Sequence, residues 1–164
     1  MLPAGNLCLV VGYDGSAPAR RALDAAVSLL QGRVGRIEVV YVAHVPDAGM
    51  VSAAALGEIE INFDEVEQEL RTEAGERLRG RAESWGFARR QGMIAEALIA
   101  VAAGIRDARA SDGMVIVAGS SPHALHRLAG PDAVRLARHS PVPLACLHDQ
   151  PPAPPPRTEA ATGG

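Results

Sequence analysis

Apolar residues in this chain fall into short continuous runs, separated by stretches in which they recur at helical spacing. A run of roughly four to eight apolar residues is typical of a strand covered on both faces, as in a parallel sheet. Five segments fit strands, the third of them only weakly: residues 7–11, 37–42, 87–91, 114–118 and 143–147. Helices are predicted in four places: after Ser16 up to Gly32, from about residue 63 to 85, after Gly92, and from Pro131. Because strands alternate with helices, the pattern predicts an α/β fold with right-handed crossovers and a mainly parallel sheet.

Two further segments carry no clear helix or strand signal. Residues 43–62 contain Pro46, Gly49 and Gly57 and predict a long connection, which in a compact domain points to a lid or an interface. Residues 150–164, QPPAPPPRTEAATGG, predict a disordered, proline-rich tail. The domain is therefore assigned to residues 1–149 and the tail to residues 150–164.

The bulk composition restricts the classes of function. A length of 164 residues suits one domain, and a formal charge of −3 argues against a nucleic-acid partner, which needs a clustered basic excess. No apolar run is long enough to span a bilayer and the start lacks a signal-peptide pattern, so we expect a soluble, cytoplasmic protein with no membrane partner. All 16 basic residues are arginine, which excludes lysine chemistry. Cys8 and Cys146 form no metal motif and are expected to be buried thiols.

Three segments resemble the universal stress protein family. Residues 11–16, VGYDGS, follow an apolar strand and resemble the family's opening Val-Asp-Gly-Ser signature. Residues 41–42, Tyr-Val, fall where the family has its Leu-His-Val segment. Residues 130–143, GPDAVRLARHSPVP, are the most specific match, because they are similar to the family's run of Gly-Ser, a helix, and Leu-Arg-His-Ala-Pro-x-Pro-Val. The resemblance spans about residues 5–148.

The resemblance implies a three-layer sandwich around a five-stranded, mainly parallel sheet in the Rossmann-like order 3-2-1-4-5 of the adenine nucleotide alpha hydrolase-like folds. Strands one and four are then neighbours, and a ligand would bind where the chain reverses direction between them, outside the carboxyl ends of the strands. No cofactor is fixed by the resemblance; ATP, AMP or adenosine, weakly held, are the candidates. The residues expected to contact such a ligand lie in the two loops that meet there and on the second strand: Gly12, Asp14, Val42, Gly119, Ser120, Ser121 and Gly130.

The phosphate part of this expected site departs from the family pattern. Members that bind ATP carry Gly-x-x-Gly, a nine-residue spacer and Gly-Ser or Gly-Thr, whose backbone amides and hydroxyl receive the phosphates. Here Pro122 replaces the second glycine, seven residues separate it from Gly130, and Pro131 replaces the hydroxyl residue. Pro131 has no amide hydrogen to donate, and Asp132 places a carboxylate in the first turn of the helix. The sequence therefore predicts weak binding of a polyphosphate.

The substitutions in the phosphate part affect the adenosine part of the site less. Asp14 is expected to hold polar atoms of adenosine, and Val42 is expected to pack on the base. The alternative role of Asp14 is structural, as a cap on the turn at Ser16. Since the chain has no lysine, a positive charge that offsets the lost phosphate donors would have to come from Arg127 or Arg135.

The favoured interpretation is a non-catalytic stress-response or regulatory module without catalytic residues or a metal. It would act as a homodimer through its last strand, Pro143 to Leu147, because an apolar edge strand needs to be covered. An unknown regulatory protein is a further possible partner. The alternative is an ATP- or AMP-binding switch with weak or no hydrolysis.

A small hydrolase is the least favoured class. It would draw on a serine, a histidine and an aspartate from one set: Ser120, Ser121, His123, His126 and Asp132. The chain lacks the Gly-x-Ser-x-Gly elbow, since Pro122 follows Ser121 directly. His123 and His126 are also spaced as a metal pair, but no third ligand follows at useful spacing. His139, at the end of the last helix, is expected to be structural, because the helix dipole favours a protonated imidazole there.

Overall fold

The fold is that of a computed structural model, which describes residues 6–43, 53–82, 84–108, 113–119 and 131–147. Strands and helices alternate along the whole of this part of the chain. In chain order they are β1 (Leu7–Gly12), α1 (Ala17–Leu30), β2 (Gly35–Ala43), α2 (Ala53–Leu78), β3 (Trp85–Gln91), α3 (Ile94–Ala108), β4 (Gly113–Gly119), α4 (Pro131–His139) and β5 (Leu144–Leu147). Among the helices in these ranges, none is long and apolar enough to cross a membrane.

The strands form one parallel sheet in the order β3-β2-β1-β4-β5. β1 lies in the centre and pairs with β2 on one side, Val11 opposite Val39, and with β4 on the other, Val11 opposite Val117. All six residues of β1 are buried, because helices cover both faces of the sheet. The predicted α/β class with a parallel sheet is therefore confirmed.

The two faces of the sheet carry separate apolar clusters. Alternate side chains of β1 and β2, such as Val11 and Val39, pack against α1 and α2 in what we name the α1–α2 core. The intervening residues, such as Val10 and Val40, pack against α3 and α4 in the α3–α4 core, which includes the buried thiol of Cys8. The expected burial of Cys8 is confirmed; the Cys146 side chain lies outside the described residues.

Helix α1 begins as the sequence predicts. Ser16 is its N-cap, with an extended backbone and a side-chain oxygen that accepts a hydrogen bond from the Ala19 amide at 3.3 Å. Pro18 occupies the first turn, where its missing amide hydrogen costs little, and it is buried. Gly32 follows the helix with a φ of 73°, a left-handed conformation that suits a helix end.

The prediction for the second helix was wrong at both ends. The predicted connection 43–62 contains the first ten residues of α2, which begins at Ala53, and the predicted helix to residue 85 ends at Leu78. Gly57 is tolerated inside the helix, although glycine there costs about 1 kcal/mol relative to alanine. Trp85 opens β3 instead, opposite Ile37. Its ring packs against α2 beside Gly75, so it extends the apolar stripe of the helix without belonging to the helix.

Candidate functional site

The carboxyl ends of β1 and β4 meet in the middle of the sheet, where the strand order reverses. β1 ends at Gly12, and β4 ends at Gly119, opposite Leu147 of β5. β1 leads into α1 on one face of the sheet, whereas β4 is followed by α4 on the other face. Open α/β sheets bind ligands in a crevice outside the strand ends at such a point, and Gly12 and Gly119 are the last residues of the two strands there.

Gly12 is buried at the end of β1. A Cβ atom at this position would lie 3.4 Å from Cδ1 of Leu98 and 3.7 Å from Cδ1 of Ile94, both on α3. The glycine therefore lets α3 pack closely under the end of β1. The contacts of β1 with α3 at this end of the strand are therefore apolar and closely packed.

Asp14 follows at the rim and is half-buried. Its Oδ1 accepts a hydrogen bond from the backbone amide of Ser16 at 3.0 Å, which closes the turn that starts α1. The structural alternative for Asp14 is thus present in the fold. That contact uses one carboxylate oxygen and fixes the direction of the other, so capping the turn also orients the carboxylate.

Val42 lies one residue before the end of β2. Its side chain is 5% exposed and belongs to the α3–α4 core. Its backbone is placed differently. The carbonyl of Val40 accepts from the Tyr13 amide at 2.8 Å, and beyond Val40 no backbone hydrogen bond joins β2 to the segment that follows β1 within the described residues. Because backbone groups of a strand repeat every two residues, the N–H and C=O of Val42 point to that same side, just beyond the end of β1.

Tyr13, Glu73 and Arg20 form a polar cluster that the sequence did not suggest. The buried Tyr13 hydroxyl donates to Oε1 of Glu73 on α2 at 2.8 Å, and Nε of Arg20 on α1 lies 2.5 Å from the same oxygen. Burial, and then the contact with Glu73, raises the pKa of Tyr13 to about 12. The hydrogen bond from Arg20 holds the pKa of the Glu73 carboxyl below its usual value. The tyrosine is therefore neutral and the glutamate charged at neutral pH.

A second charged group lines the β2–β3 side of the same edge. NH1 of Arg89 on β3 lies 2.5 Å from Oδ1 of Asp64 and 3.4 Å from Oε2 of Glu67, both on α2. The neighbouring Tyr41 is buried, and burial raises its pKa, an effect that the nearby Arg89 opposes. Arg89 is therefore directed towards α2 and neutralised there.

On the β4 side the described residues are fewer. Pro131 is the first residue of α4, so the helix starts without one amide donor. Arg135 pairs with Glu96 of α3 at 3.3 Å, and its NH1 lies 3.5 Å from the Met93 sulfur. His139 is exposed in the last turn of α4, at the helix end where the sequence placed it.

Several predicted residues of this side lie outside the described residues: Ser120, Ser121, Pro122, His123, His126, Arg127 and Gly130. The same holds for the side chain of Asp132 and for the predicted tail, residues 150–164. Within the residues that are described, no group of three or more His, Cys, Asp or Glu side chains could hold a metal ion.

A parallel sheet whose strand order reverses at a central switch point defines the broad class of open α/β domains. The chain belongs to the universal stress protein family, whose model matches residues 9–148. No curated protein sequence matches the chain.

Solved structures with this fold include members of the same family. A universal stress protein family protein from Burkholderia pseudomallei is 25% identical, with a TM-score of 0.58 over 85% of this chain and 94% of its own. A universal stress protein in complex with cAMP is 20% identical, with a TM-score of 0.61 over 90% of this chain and 100% of its own. A family member from Arabidopsis thaliana with AMP bound is 11% identical, with a TM-score of 0.55 over 88% and 92%.

Proposed function

We propose that the chain is a non-catalytic, cytoplasmic regulatory module of the universal stress protein family, which acts as a homodimer. In this proposal its crevice accepts the adenosine part of an adenine nucleotide but has lost a tight phosphate site. The main support for an adenine ligand is that the N–H and C=O groups of Val42 point to the side of β2 beyond the end of β1, where Asp14 follows in the chain.

The polar groups at this end of the sheet match those that an adenine base and a ribose present. An adjacent N–H donor and C=O acceptor on one strand match the acceptor and donor that adenine presents along its pairing edge. Asp14, oriented by the Ser16 amide, offers a carboxylate oxygen to ribose hydroxyls. The buried Val42 side chain leaves this recognition to the backbone of β2, which revises the expectation that the side chain packs on the base. The neighbouring structures with cAMP and AMP support the same ligand class.

The phosphate half is where the proposal departs from an ATP-binding member. Pro131 at the start of α4 removes one amide donor, and the loss of a charge-assisted hydrogen bond costs about 1.5–3 kcal/mol. Of the two arginines expected to offset this loss, Arg135 faces Glu96 across a solvent-exposed contact of 3.3 Å, so its charge is already partly neutralised. Together with Pro122 and Asp132, these features favour adenosine or AMP over ATP.

A non-catalytic role is supported by how the described charged groups near the crevice are used. Glu73 is paired with Arg20, and Arg89 is paired with Asp64 and Glu67. Tyr13 has its pKa raised to about 12, so it does not supply a base near neutral pH. The serines and histidines of the hydrolase alternative lie outside the described residues, and that alternative gains no support from the geometry around β1.

The dimer is supported by the position of β5. This strand lies at the edge of the sheet and pairs only with β4 within the described residues. Leu144 packs towards the α3–α4 core and Ala145 towards the α1–α2 core, so both faces of the strand are partly covered, whereas its outer edge has no strand partner among the described residues. A second copy of β5 would supply the missing edge partner.

Calorimetric titration of the nucleotide-stripped protein with adenosine, AMP and ATP tests the ligand proposal. We expect saturable binding of adenosine and AMP, with ATP no tighter than adenosine. Binding of ATP at low-micromolar affinity, tighter than adenosine, would put the ATP switch in first place. An absence of binding by all three compounds would remove the adenosine site from the proposal.

Two variants sharpen this titration. Asp14→Asn keeps an oxygen for the Ser16 amide but removes the charge, so adenosine affinity should fall roughly tenfold or more. Glu76→Gln, an exposed acidic residue of α2, is the matched control and should leave it unchanged.

The triple variant Pro122→Gly, Pro131→Ser and Asp132→Val tests the phosphate half. It returns an amide donor, a hydroxyl and a neutral helix N-terminus. We expect ATP affinity to rise by roughly tenfold to a hundredfold, while adenosine affinity changes much less.

A further inference from the structure

Helix α2 contacts the turn at the end of β1 on both sides of Asp14. On one side the Tyr13 hydroxyl donates to Glu73. On the other side Gly15, with a φ of 74°, lies under Leu70: a Cβ there would be 2.9 Å from Cδ2 of Leu70 and 3.7 Å from Oε2 of Glu73. The turn that orients Asp14 is therefore enclosed by a helix that lies some sixty residues later in the chain.

Glu73 is the point where the contacts of this turn converge. Its Oε1 accepts from Tyr13 and from Arg20, and Nε of Arg77 lies 3.5 Å from the same atom. Its Oε2 would lie 3.7 Å from a Cβ atom at Gly15, next in distance after Cδ2 of Leu70. One carboxylate thus joins the residue before Asp14, the first turns of α1 and the helix that covers Gly15.

The ionic part of this cluster is partly exposed: the Arg20 and Glu73 side chains retain 43% and 30% of their accessible surface. Ion pairs in such positions add little to global stability. The buried Tyr13 hydroxyl and the close packing at Gly15, in contrast, leave the turn little freedom to shift. The consequence of losing Glu73 should therefore be local, in the order of the turn, more than global.

We propose that Glu73 is a positioning residue for the crevice, which holds α2 against the Tyr13–Ser16 turn and thereby fixes the Asp14 carboxylate. The part of this inference that concerns ligand affinity rests on the adenosine-binding function proposed above. The part that concerns the turn itself does not depend on any ligand, so the two are tested separately.

Amide hydrogen exchange of the ligand-free protein tests the turn. In Glu73→Gln an oxygen remains for the Tyr13 hydroxyl but the charge that holds Arg20 is lost. We expect the hydrogen-bonded amides of Ser16, Ala19 and Arg20 to exchange at least severalfold faster, while β1 and β4 are unchanged. Tyr13→Phe should accelerate exchange of the same amides.

Glu76→Gln, on the exposed face of α2, is the matched control and should leave these exchange rates unchanged. Unchanged exchange in both Glu73→Gln and Tyr13→Phe, or equal acceleration in the control, would overturn the proposal.

Titration with adenosine then tests the consequence for the crevice. Glu73→Gln should weaken adenosine binding roughly fivefold to tenfold, and Glu76→Gln should not. If the wild type binds no adenosine, the proposed function fails while the exchange result still decides whether Glu73 fixes the turn. If the wild type binds and Glu73→Gln binds equally well, the positioning role is wrong and the adenosine function stands.

Discussion

Tyr13 and Asp14 are neighbours in the chain with separate tasks, because the end of β1 directs them differently. Tyr13 continues the alternation of the strand, so its ring enters the α1–α2 core and its hydroxyl reaches Glu73. Asp14 begins the turn and binds the Ser16 amide. The tyrosine thus anchors the segment to the helix layer, and the aspartate remains at the crevice. Two adjacent residues together set the geometry of the candidate site.

The Tyr13 hydroxyl predicts a loss of stability at alkaline pH. The pKa of this group is raised from 10.0 to about 12 in the fold, so between these values the unfolded chain releases a proton that the folded chain keeps. Folding stability therefore falls as pH rises through this window, by up to roughly 3 kcal/mol for the full shift. Urea unfolding of the wild type and of Tyr13→Phe, from pH 9 to 11.5, should show a shallower pH dependence in the variant. Equal slopes would mean that Tyr13 is not protected in the fold.

Gly15 and Gly32 form a matched pair for testing how closely α2 covers the turn. Both have a φ near 73°, where an alanine costs roughly 1–2 kcal/mol of backbone strain. A Cβ at Gly15 would also lie 2.9 Å from Leu70, whereas nothing lies within 4 Å of a Cβ at Gly32. Gly15→Ala should therefore destabilise the protein more than Gly32→Ala in urea unfolding. A similar loss in both variants would show that α2 does not press on the turn.

At the residue scale, local chemistry could be predicted from the sequence and long-range partners could not. The cap at Ser16 was predictable because its partner, Ala19, lies three residues away and the capping rule is local. The link from Tyr13 to Glu73 was not, because the two are sixty residues apart and nothing in either neighbourhood indicates the other. The Val42 backbone groups were missed for a related reason: their exposure depends on where the adjacent strand ends.

At the scale of elements, α1 and α2 are joined by polar contacts next to a narrow apolar seam. Leu70, Ala74 and Leu78 of α2 are buried, and its outer residues are charged or polar. Arg77 and Arg81 both pair with Asp24 of α1, at 3.5 and 2.8 Å. This composition explains why the boundaries of α2 could not be predicted. A sparse stripe gives little periodicity, and the apolar Trp85 of β3 continued it past the true end of the helix.

The α1–α2 contact also predicts a dependence on acid pH. The hydrogen bond from Arg20 lowers the pKa of Glu73 relative to the usual value of 4.5. A carboxyl group with a lowered pKa stabilises the fold above its unfolded pKa, and that contribution is lost as pH falls through the folded value. The difference in unfolding free energy between the wild type and Glu73→Gln, which is small because the ion pair is partly exposed, should therefore be largest near neutral pH and shrink below about pH 4.5. Urea unfolding from pH 7 to 3 measures it, and a difference that stays constant would contradict the ionic role of Glu73.

At the scale of the whole molecule, the strand runs predicted an α/β class because a parallel sheet buries both faces of its central strands. The family followed from short motifs, of which residues 130–143 are the most specific. Pattern alone does not determine which strand is central, since that depends on the hand and direction of the crossovers. The phosphate side is the least predictable part, because substitutions such as Pro122 and Asp132 identify lost donors without giving the path of the loop.

The edge position of β5 leads to a prediction about the assembled state. If two copies pair through this strand, the wild type should sediment as a dimer at micromolar concentration. Ala145 is half-buried on β5 and packs towards the α1–α2 core. A lysine at this position would have to extend its ammonium group to solvent beyond the edge of the strand. Two such charges facing each other across a symmetric contact repel, and Ala145→Lys should shift the protein towards monomers.

The control for this prediction is Ala100→Lys, at an exposed position of α3. It adds the same charge away from β5 and should remain dimeric. Far-ultraviolet circular dichroism establishes that both variants are folded. A wild type that sediments only as a monomer would refute pairing through β5, and dissociation of both variants alike would place the contact elsewhere or attribute it to charge alone.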